Sequence, residues 1–384
     1  MADRRFELKI TKLVPPGDGF GIHGDKAVFV PAATIGDVVK VSVVKETKEV
    51  IFATLEEVTQ AGPDRIEVDC PHYMQCGGCS LMHLSYPKQL DLKKQMLVET
   101  FASHQFQIDP VMVASPQVQG FRHRTQLKIQ DGVIGFSRRM GNQIVHPAEC
   151  RILATGLMDA LPNISQLQMT DGDCHLLESM AEGTVAGNLE LGAEPIPLPG
   201  YPESITEDYG FGKIMLPVTA FAQSNPYITS LIIKELLEHC QDSRQVVELY
   251  CGCGTFSITV GAQVESLIGF DNGELAIQTA RENAQRNHLQ KVRFKVANID
   301  RLGKLPKGDT VIVDPPRKGM GRKVVKLIGK SKASKLLYVS CNPSTQARDI
   351  AWLHKDHGFS LTQIAGYDMY CHSTHLETVA ILER

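Results

Sequence analysis

The chain contains no uncharged apolar run long enough to span a bilayer, which excludes a membrane-spanning helix. Its first residues, Met1-Ala2-Asp3-Arg4-Arg5-Phe6-Glu7, hold no apolar signal region. Internal repeats and low-complexity tracts are also missing, so solenoid and fibrous architectures are not favoured. The net charge is only −3, so there is no global excess of positive charge to announce a nucleic-acid partner, although local basic patches can still supply one. What remains is an ordinary globular composition of 384 residues, 43% apolar and 22% charged, enough for two or three domains. Ten cysteines in a chain read as soluble, cytoplasmic and monomeric point to metal binding or catalysis rather than to disulfides.

Organisation changes twice along the chain. Residues 1–62 read as short strands at glycine turns, among them Phe6–Ile10, Ala27–Val30, Val38–Val43 and Val50–Leu55, a pattern expected of a small OB-like β-barrel. Residues 63–85 and 117–213 form a mixed α+β central region. Its Asp131-Gly132 between two apolar runs predicts a hairpin. Residues 86–116 and 214–384 make the third part. Here 86–104 reads as an amphipathic helix, with Leu90, Leu92, Met96, Leu97 and Phe101 on one face. From 216 onward strands alternate with helices, which predicts an α/β, Rossmann-like, doubly wound parallel sheet.

Chemistry-bearing residues fall at the ends of those strands, where open α/β sheets bind ligands. Cys341, in Ser340-Cys341-Asn342-Pro343, follows the strand Lys335–Ser340. Glu248-Leu249-Tyr250-Cys251-Gly252-Cys253-Gly254-Thr255 ends the first strand in glycines that let a ligand approach the backbone. Asp271 ends the next strand, 19 residues beyond Gly252, and suits a ribose hydroxyl pair. The loop carries no G-x-G-x-x-G, so a dinucleotide is disfavoured. It resembles instead the loop of methyltransferases that use S-adenosylmethionine; a tight turn with no ligand is the alternative. Asn298, after the third strand, is placed either against an adenine edge or as a helix cap. Asp314-Pro315-Pro316-Arg317 ends the fourth strand in a stiff loop. It resembles the motif that methyltransferases of nucleic-acid bases place against the acceptor; a rigid strand-to-helix turn is the plain reading.

In order along the chain, Gln223 in Phe221-Ala222-Gln223-Ser224-Asn225, the loop at 248–255, Asp314-Pro315-Pro316-Arg317, Ser340-Cys341-Asn342-Pro343 and His375-Leu376-Glu377 resemble the RNA uridine-C5 methyltransferases. The resemblance covers essentially the full chain, and its N-terminal part is similar to the TRAM module of ribosomal-RNA members. It implies a class I methyltransferase domain with S-adenosylmethionine as cofactor, Cys341 as nucleophile and Glu377 as base. It also implies cofactor or uracil contacts from Gln223, Tyr250, Thr255, Asp271, Asn298 and Asp314. The family's segment before this Glu commonly reads Phe-Pro, whereas Tyr370-Cys371-His372-Ser373-Thr374 stands here.

A second cysteine system is separate from Cys341. Cys70-x5-Cys76-x2-Cys79, with Gly77-Gly78 between, is followed by Cys150. The spacing resembles the 4Fe-4S site of the ribosomal-RNA uridine methyltransferases; a four-cysteine zinc site is the alternative. His72 and His83 lie near these cysteines, as minor ligands or as surface histidines. Cys174, Cys240, Cys251, Cys253 and Cys371 are expected to ligate nothing.

For RNA, the expected contacts are Phe221 stacked on a flipped base or else buried in a core, and Arg122, Arg124, Lys128, Arg138 and Arg317 on phosphates. Arg317 to Lys335 holds eight Lys/Arg and no acid, as a phosphate-facing edge or a solvated face. The expected reaction is methylation of a uridine at C5, in 23S ribosomal RNA first and in the transfer-RNA T-loop second. A non-catalytic RNA-binding factor is the reading from another class.

Overall fold

A computed structural model describes residues 4–14, 17–167 and 169–384. Residues 1–3, part of the N-terminal stretch read above, lie outside the described residues. The chain divides into two compact units. The first comprises 1–96, 135–151 and 370–375; the second comprises 97–134, 152–369 and 376–384.

The first unit opens with β1 (Arg5–Lys9), β2 (Lys12–Val14), β3 (Asp18–His23), β4 (Lys26–Val30), β5 (Val38–Glu46) and β6 (Val50–Gln60). They form one sheet in the order β1-β5-β6-β4-β3-β2, wrapped as a half-barrel. The pairing is antiparallel except for β4 with β6, which run parallel from Ala27↔Val50. The alternation read from the sequence does its work on one face. Leu8, Ile10, Val28, Val30, Val39, Val41 and Ile51 form a continuous apolar core there. The segment Arg5–Val14 pairs with β5 through β1 and with β3 through β2, so it joins the two ends of the strand order. Only Ile10 and Thr11 separate β1 from β2, and Thr11 N donates to the Phe20 carbonyl of β3 at 2.8 Å.

One buried carboxylate ties the loops of this sheet. Asp37 is fully buried and accepts from Thr34 N (2.7 Å), Gly62 N (2.7 Å) and the Arg65 guanidinium (2.7 Å). Burial opposes its charge, but those hydrogen bonds hold its carboxyl below the ordinary range.

The helix α1 (Tyr86–Ala102) does not present the expected apolar residues as one face: it divides them between two cores, and Leu90 joins neither. Leu92 and Met96 pack with Leu81, Leu84 and Leu13 in the first unit. Leu97 and Phe101 belong to the main core of the second. Next come β7 (Val111–Val113), β8 (Arg124–Gln130), β9 (Val133–Ser137), β10 (Ile144–Val145), α2 (Thr155–Ile164), β11 (Gly172–Glu178), β12 (Val185–Glu190), β13 (Ile196–Pro197), β14 (Ser204–Asp208) and β15 (Lys213–Pro217). Asp131 and Gly132 both adopt left-handed φ, 52° and 74°, as a two-residue hairpin turn requires. The order β8-β11-β12-β13 builds a sheet in the second unit.

The rest of the second unit is α3 (Pro226–His239), β16 (Gln245–Leu249), α4 (Thr255–Gly261), β17 (Ser266–Asp271), α5 (Glu274–Arg286), β18 (Val292–Val296), β19 (Thr310–Val313), α6 (Gly321–Gly329), β20 (Lys335–Ser340), α7 (Pro343–His357), β21 (Ser360–Tyr367) and β22 (Glu377–Glu383). An eight-stranded sheet runs β18-β17-β16-β19-β20-β22-β21-β7. The five strands from β18 to β20 are parallel, as the sequence pattern predicts. Beyond them β22 inserts antiparallel between β20 and β21, a feature the periodicity does not announce. Both strands are near-continuous apolar runs, and such runs carry no direction. β20 is buried throughout its length except at Lys335, and β22 except at Glu383.

Replacing Asp37 with Ala would leave a part-buried guanidinium and two amides without an acceptor. The expected loss is ~3–5 kcal/mol, read as faster hydrogen exchange across β3–β6.

Candidate active site

The C-terminal tips of the parallel strands place Tyr250, Asp271, Asp314 and Cys341 along one edge of the sheet, as their positions after β16, β17, β19 and β20 require. The β20–β22 register decides the fifth residue. Ser340 pairs with Thr378, so Glu377, the first residue of β22, stands beside Cys341 at the end of the ladder. Thr378 Oγ1 lies 3.0 Å from the Ser340 carbonyl and 2.8 Å from Gln346 Oε1, and Gln346 Nε2 donates to the Tyr338 carbonyl at 2.8 Å. All four residues are buried, and they pin the two strand ends together.

Charge at this point is concentrated and one-sided. Glu377 is 1% exposed, and its Oε1 is buried with no hydrogen-bond partner. Burial, and then the Asp314 carboxylate, push its pKa well above the ordinary value, while Arg317 opposes them. Burial lifts Asp314 to about 7. Gln223 Nε2 donates to Asp314 Oδ2 at 3.4 Å. Cys341 is half-buried; burial, with Glu377 and Asp314 adding to it, pushes the thiol up to about 11, again against Arg317. Arg317 is thus the cation that offsets both neighbours. Its carbonyl is tied to the cysteine loop by Asn342 Nδ2 at 2.8 Å and Thr345 Oγ1 at 3.2 Å. Asn342 also caps α7, accepting from Ser344 N at 3.2 Å.

The glycine loop bends sharply. Tyr250, Gly252 and Gly254 all have left-handed φ, at 64°, 51° and 87°. A non-glycine residue is strained in that region, so Tyr250 is held there by its surroundings. Asp271 is one of the restraints. It accepts from Gly252 N at 3.0 Å and Gly273 N at 2.9 Å, so its carboxylate braces the loop as well as facing it. Beneath, buried Glu248 accepts a short hydrogen bond from Ser257 and is pushed up to about 8 by burial. Thr255 begins α4. Asn298 is exposed at the cap of a 3-10 turn, Ile299–Arg301, but its side chain makes no capping bond.

Phe221 is 65% exposed, which overturns the core-aromatic alternative. The Arg124 guanidinium lies 5.7 Å from its ring centroid and donates to the Ala222 carbonyl at 3.2 Å. Arg122 Nε donates to the Arg124 carbonyl at 3.1 Å. Lys128 is exposed and paired with Asp173 at 2.7 Å. Arg138 is exposed in the first unit, bridged through its backbone to Cys76. Asn225 escaped notice in the sequence. It is fully buried, caps α3, and donates to Ser115 Oγ at 3.1 Å, which fixes the loop carrying Phe221 and Gln223. An Asn before Pro at a helix start was the available signal.

Cys70, Cys76, Cys79 and Cys150 all lie in the first unit, half-buried and outside any disulfide. Arg139 Nη2 donates to the Cys79 carbonyl at 2.7 Å, and Gly78 N to Cys76 Sγ at 3.4 Å. His83 is buried, with Nδ1 2.7 Å from the Tyr73 hydroxyl, and the buried Nε2 of His72 has no hydrogen-bond partner. The donor type suits a metal or cluster. Among the described residues, however, no three His, Cys, Asp or Glu side chains gather as a metal site. Cys174, Cys240, Cys251, Cys253 and Cys371 are buried.

A family model described as tRNA (Uracil-5-)-methyltransferase matches residues 215–384. The tRNA (uracil(54)-C(5))-methyltransferase of Pyrococcus horikoshii is 30% identical over 95% of this chain and 97% of its own. This chain belongs to the RNA uracil-C5 methyltransferase family. The 23S rRNA (uracil(1939)-C(5))-methyltransferase of Alkalilimnicola ehrlichii is 28% identical over 99% of this chain and 96% of its own. Among solved structures, the Pyrococcus abyssi tRNA (uracil-54, C5)-methyltransferase in complex with S-adenosyl-L-homocysteine superposes with a TM-score of 0.79 at 26% identity. That match covers 98% of this chain and 100% of the other. The second unit's large sheet therefore has the class I methyltransferase fold, and the protein is an RNA uracil-C5 methyltransferase. No helix among the described residues is long and apolar enough to cross a membrane.

Replacing Arg317 with Gln removes the cation that opposes these shifts. Cys341 should then ionise at higher pH, and its alkylation by iodoacetamide at pH 9, followed on the Cys341 peptide by mass spectrometry, should slow several-fold.

Proposed function

We propose that this enzyme methylates C5 of a uridine in structured RNA through a covalent adduct between Cys341 and uracil C6. The observation that carries this reading is the pairing of Ser340 with Thr378, which sets a thiol beside a buried carboxyl with an unoccupied oxygen. C5 of uracil is a weak nucleophile. Addition of the Cys341 thiolate to C6 makes the ring an enolate, with carbanion character at C5. S-adenosylmethionine, when bound, supplies an electrophilic methyl group. Once C5 is methylated, Glu377 takes the C5 proton onto its unpartnered oxygen. Elimination then releases Cys341, a good leaving group. Arg317 supports thiolate formation, and Asp314 with Gln223 faces the uracil edge or the cofactor.

The remaining assignments follow the same reading. Tyr250, Thr255, Asp271 and Asn298 hold the cofactor along the bent glycine loop. Phe221, exposed and backed by a guanidinium, stacks on a base taken out of its helix. Arg122, Arg124, Lys128, Arg138 and Arg317 contact phosphates, Lys128 after exchanging Asp173 for the RNA. The N-terminal half-barrel acts as a TRAM-like RNA-binding module. Cys70, Cys76, Cys79 and Cys150 ligate a 4Fe-4S cluster with a folding role and no part in methyl transfer. Their donor type and shared unit support this.

Ribosomal RNA is the first substrate class, in line with the half-barrel and the cysteine set. Transfer RNA is the second, favoured by the full-length likeness to the Pyrococcus abyssi enzyme. Incubation with S-adenosylmethionine and RNA containing 5-fluorouridine should trap a complex stable to denaturation. Wild type lacking the complex, or Cys341→Ala retaining it, would sink the covalent mechanism. Mapping 5-methyluridine in both RNA pools from a deletion strain separates the substrates. Protein purified without oxygen should be brown and contain about four irons per chain; colourless, iron-free protein overturns the cluster.

A further inference from the structure

The densest run of one charge in the chain follows directly on Asp314. Between Arg317 and Lys335 it folds as a loop, the helix α6 and a second loop. α6 buries Val324, Val325, Leu327 and Ile328 and sends Arg322, Lys323 and Lys326 outward. Among the described residues Lys323, Lys326, Lys330 and Lys332 have no ion-pair partner. Arg322 reaches Asp356 only at 3.5 Å, with both side chains more than 40% exposed. A pair of that kind does little to neutralise the face.

The neighbouring helix, α7, adds the chain's only tryptophan. Trp352 is half-buried against the main core. The Arg322 guanidinium lies 4.4 Å from its ring centroid and that of Arg348 lies 4.9 Å away. Arg348 is held further by the Lys318 carbonyl at 2.9 Å and Asp349 Oδ1 at 2.8 Å. Asp349 is fully buried and also accepts from Met320 N at 2.7 Å and the Tyr338 hydroxyl at 3.0 Å. Two cations are thereby fixed around one indole, Arg348 by the buried Asp349 carboxylate and Arg322 beside the exposed Asp356. The unpaired charge on this face is carried by Lys323, Lys326, Lys330 and Lys332, which a polyanion would neutralise.

Continuity decides which polyanion. α6 begins just after the Asp314 loop, and α7 begins two residues after Cys341. We infer that the α6–α7 face binds the sugar-phosphate backbone of the substrate RNA next to the target uridine, with the Arg322–Trp352–Arg348 stack as its rigid centre. This rests on the methylation reading for its substrate. It adds a docking surface outside the reacting residues, one that governs affinity rather than the chemical step.

Because Trp352 is the only tryptophan, its fluorescence reports on this face alone. Titrating an RNA hairpin with a uridine-containing loop into the full-length protein should quench that emission, with an affinity that falls as salt rises. A triple variant, Arg322→Glu with Lys323→Glu and Lys326→Glu, should raise KM at least tenfold, with a much smaller change in kcat. Its slope of log affinity against log salt should shrink by about 2–3, from about 0.7–0.9 per lost phosphate contact. If the triple variant fails to fold, Lys323→Gln with Lys326→Gln reads the same change at smaller size. Emission indifferent to RNA, together with a wild-type KM and slope in the folded variant, overturns the inference. So does equal quenching by a polyaspartate peptide. A wild type that shows the salt-dependent quenching but no 5-fluorouridine adduct sinks the methylation reading and leaves the docking face standing.

Discussion

The register between β20 and β22 is the constraint on which the site depends. Antiparallel pairing of Ser340 with Thr378 brings together two residues 36 apart in the chain, Cys341 and Glu377. A slip of one residue would send Glu377 to the other face of the sheet and put an apolar neighbour beside the thiol. The register is guarded by burial along both strands and by the Thr378–Gln346–Tyr338 hydrogen bonds at the end where precision matters. Strength of packing here serves position, since Cys341 and Glu377 sit where the ladder stops.

That position is electrostatically expensive. Three acids and a thiol, namely Glu248, Asp314, Glu377 and Cys341, share a poorly solvated region, and the pKa of each is raised. Raised carboxyl values mean that these groups stabilise the fold least at high pH: each ionises in the unfolded chain before it does in the folded one. Under the proposed mechanism such raised values suit groups that exchange protons, which a relaxed, solvated set would do less readily. The Arg317 cation opposes the shift at both Cys341 and Glu377, and its backbone is fastened to the cysteine loop. Offset and target therefore move together.

The same fastening links chemistry to the basic surface. Asp349 organises the start of α6 through Met320 N and steadies Arg348 beside Trp352. One buried carboxylate thus connects the loop after Asp314 with the face inferred to hold RNA. On the other side, buried Asn225 plays the comparable part for the loop bearing Phe221 and Gln223.

By itself the sequence determined the parallel strands, the bent glycine loop, the Asp131-Gly132 hairpin and the residues at the strand tips. These are local signals: a period of two, a glycine where φ must be positive, an acid where a strand ends. It also marked Glu377, but only through an ordered set of motifs, because a lone Glu near the end of a chain has no local signature. Tertiary structure alone decided that β22 inserts antiparallel, since an apolar run carries no direction. It decided as well that Phe221 is exposed and that Asp271 braces the loop it faces. Those outcomes depend on which surfaces meet and which carboxylates lose water, and no window of neighbouring residues encodes either.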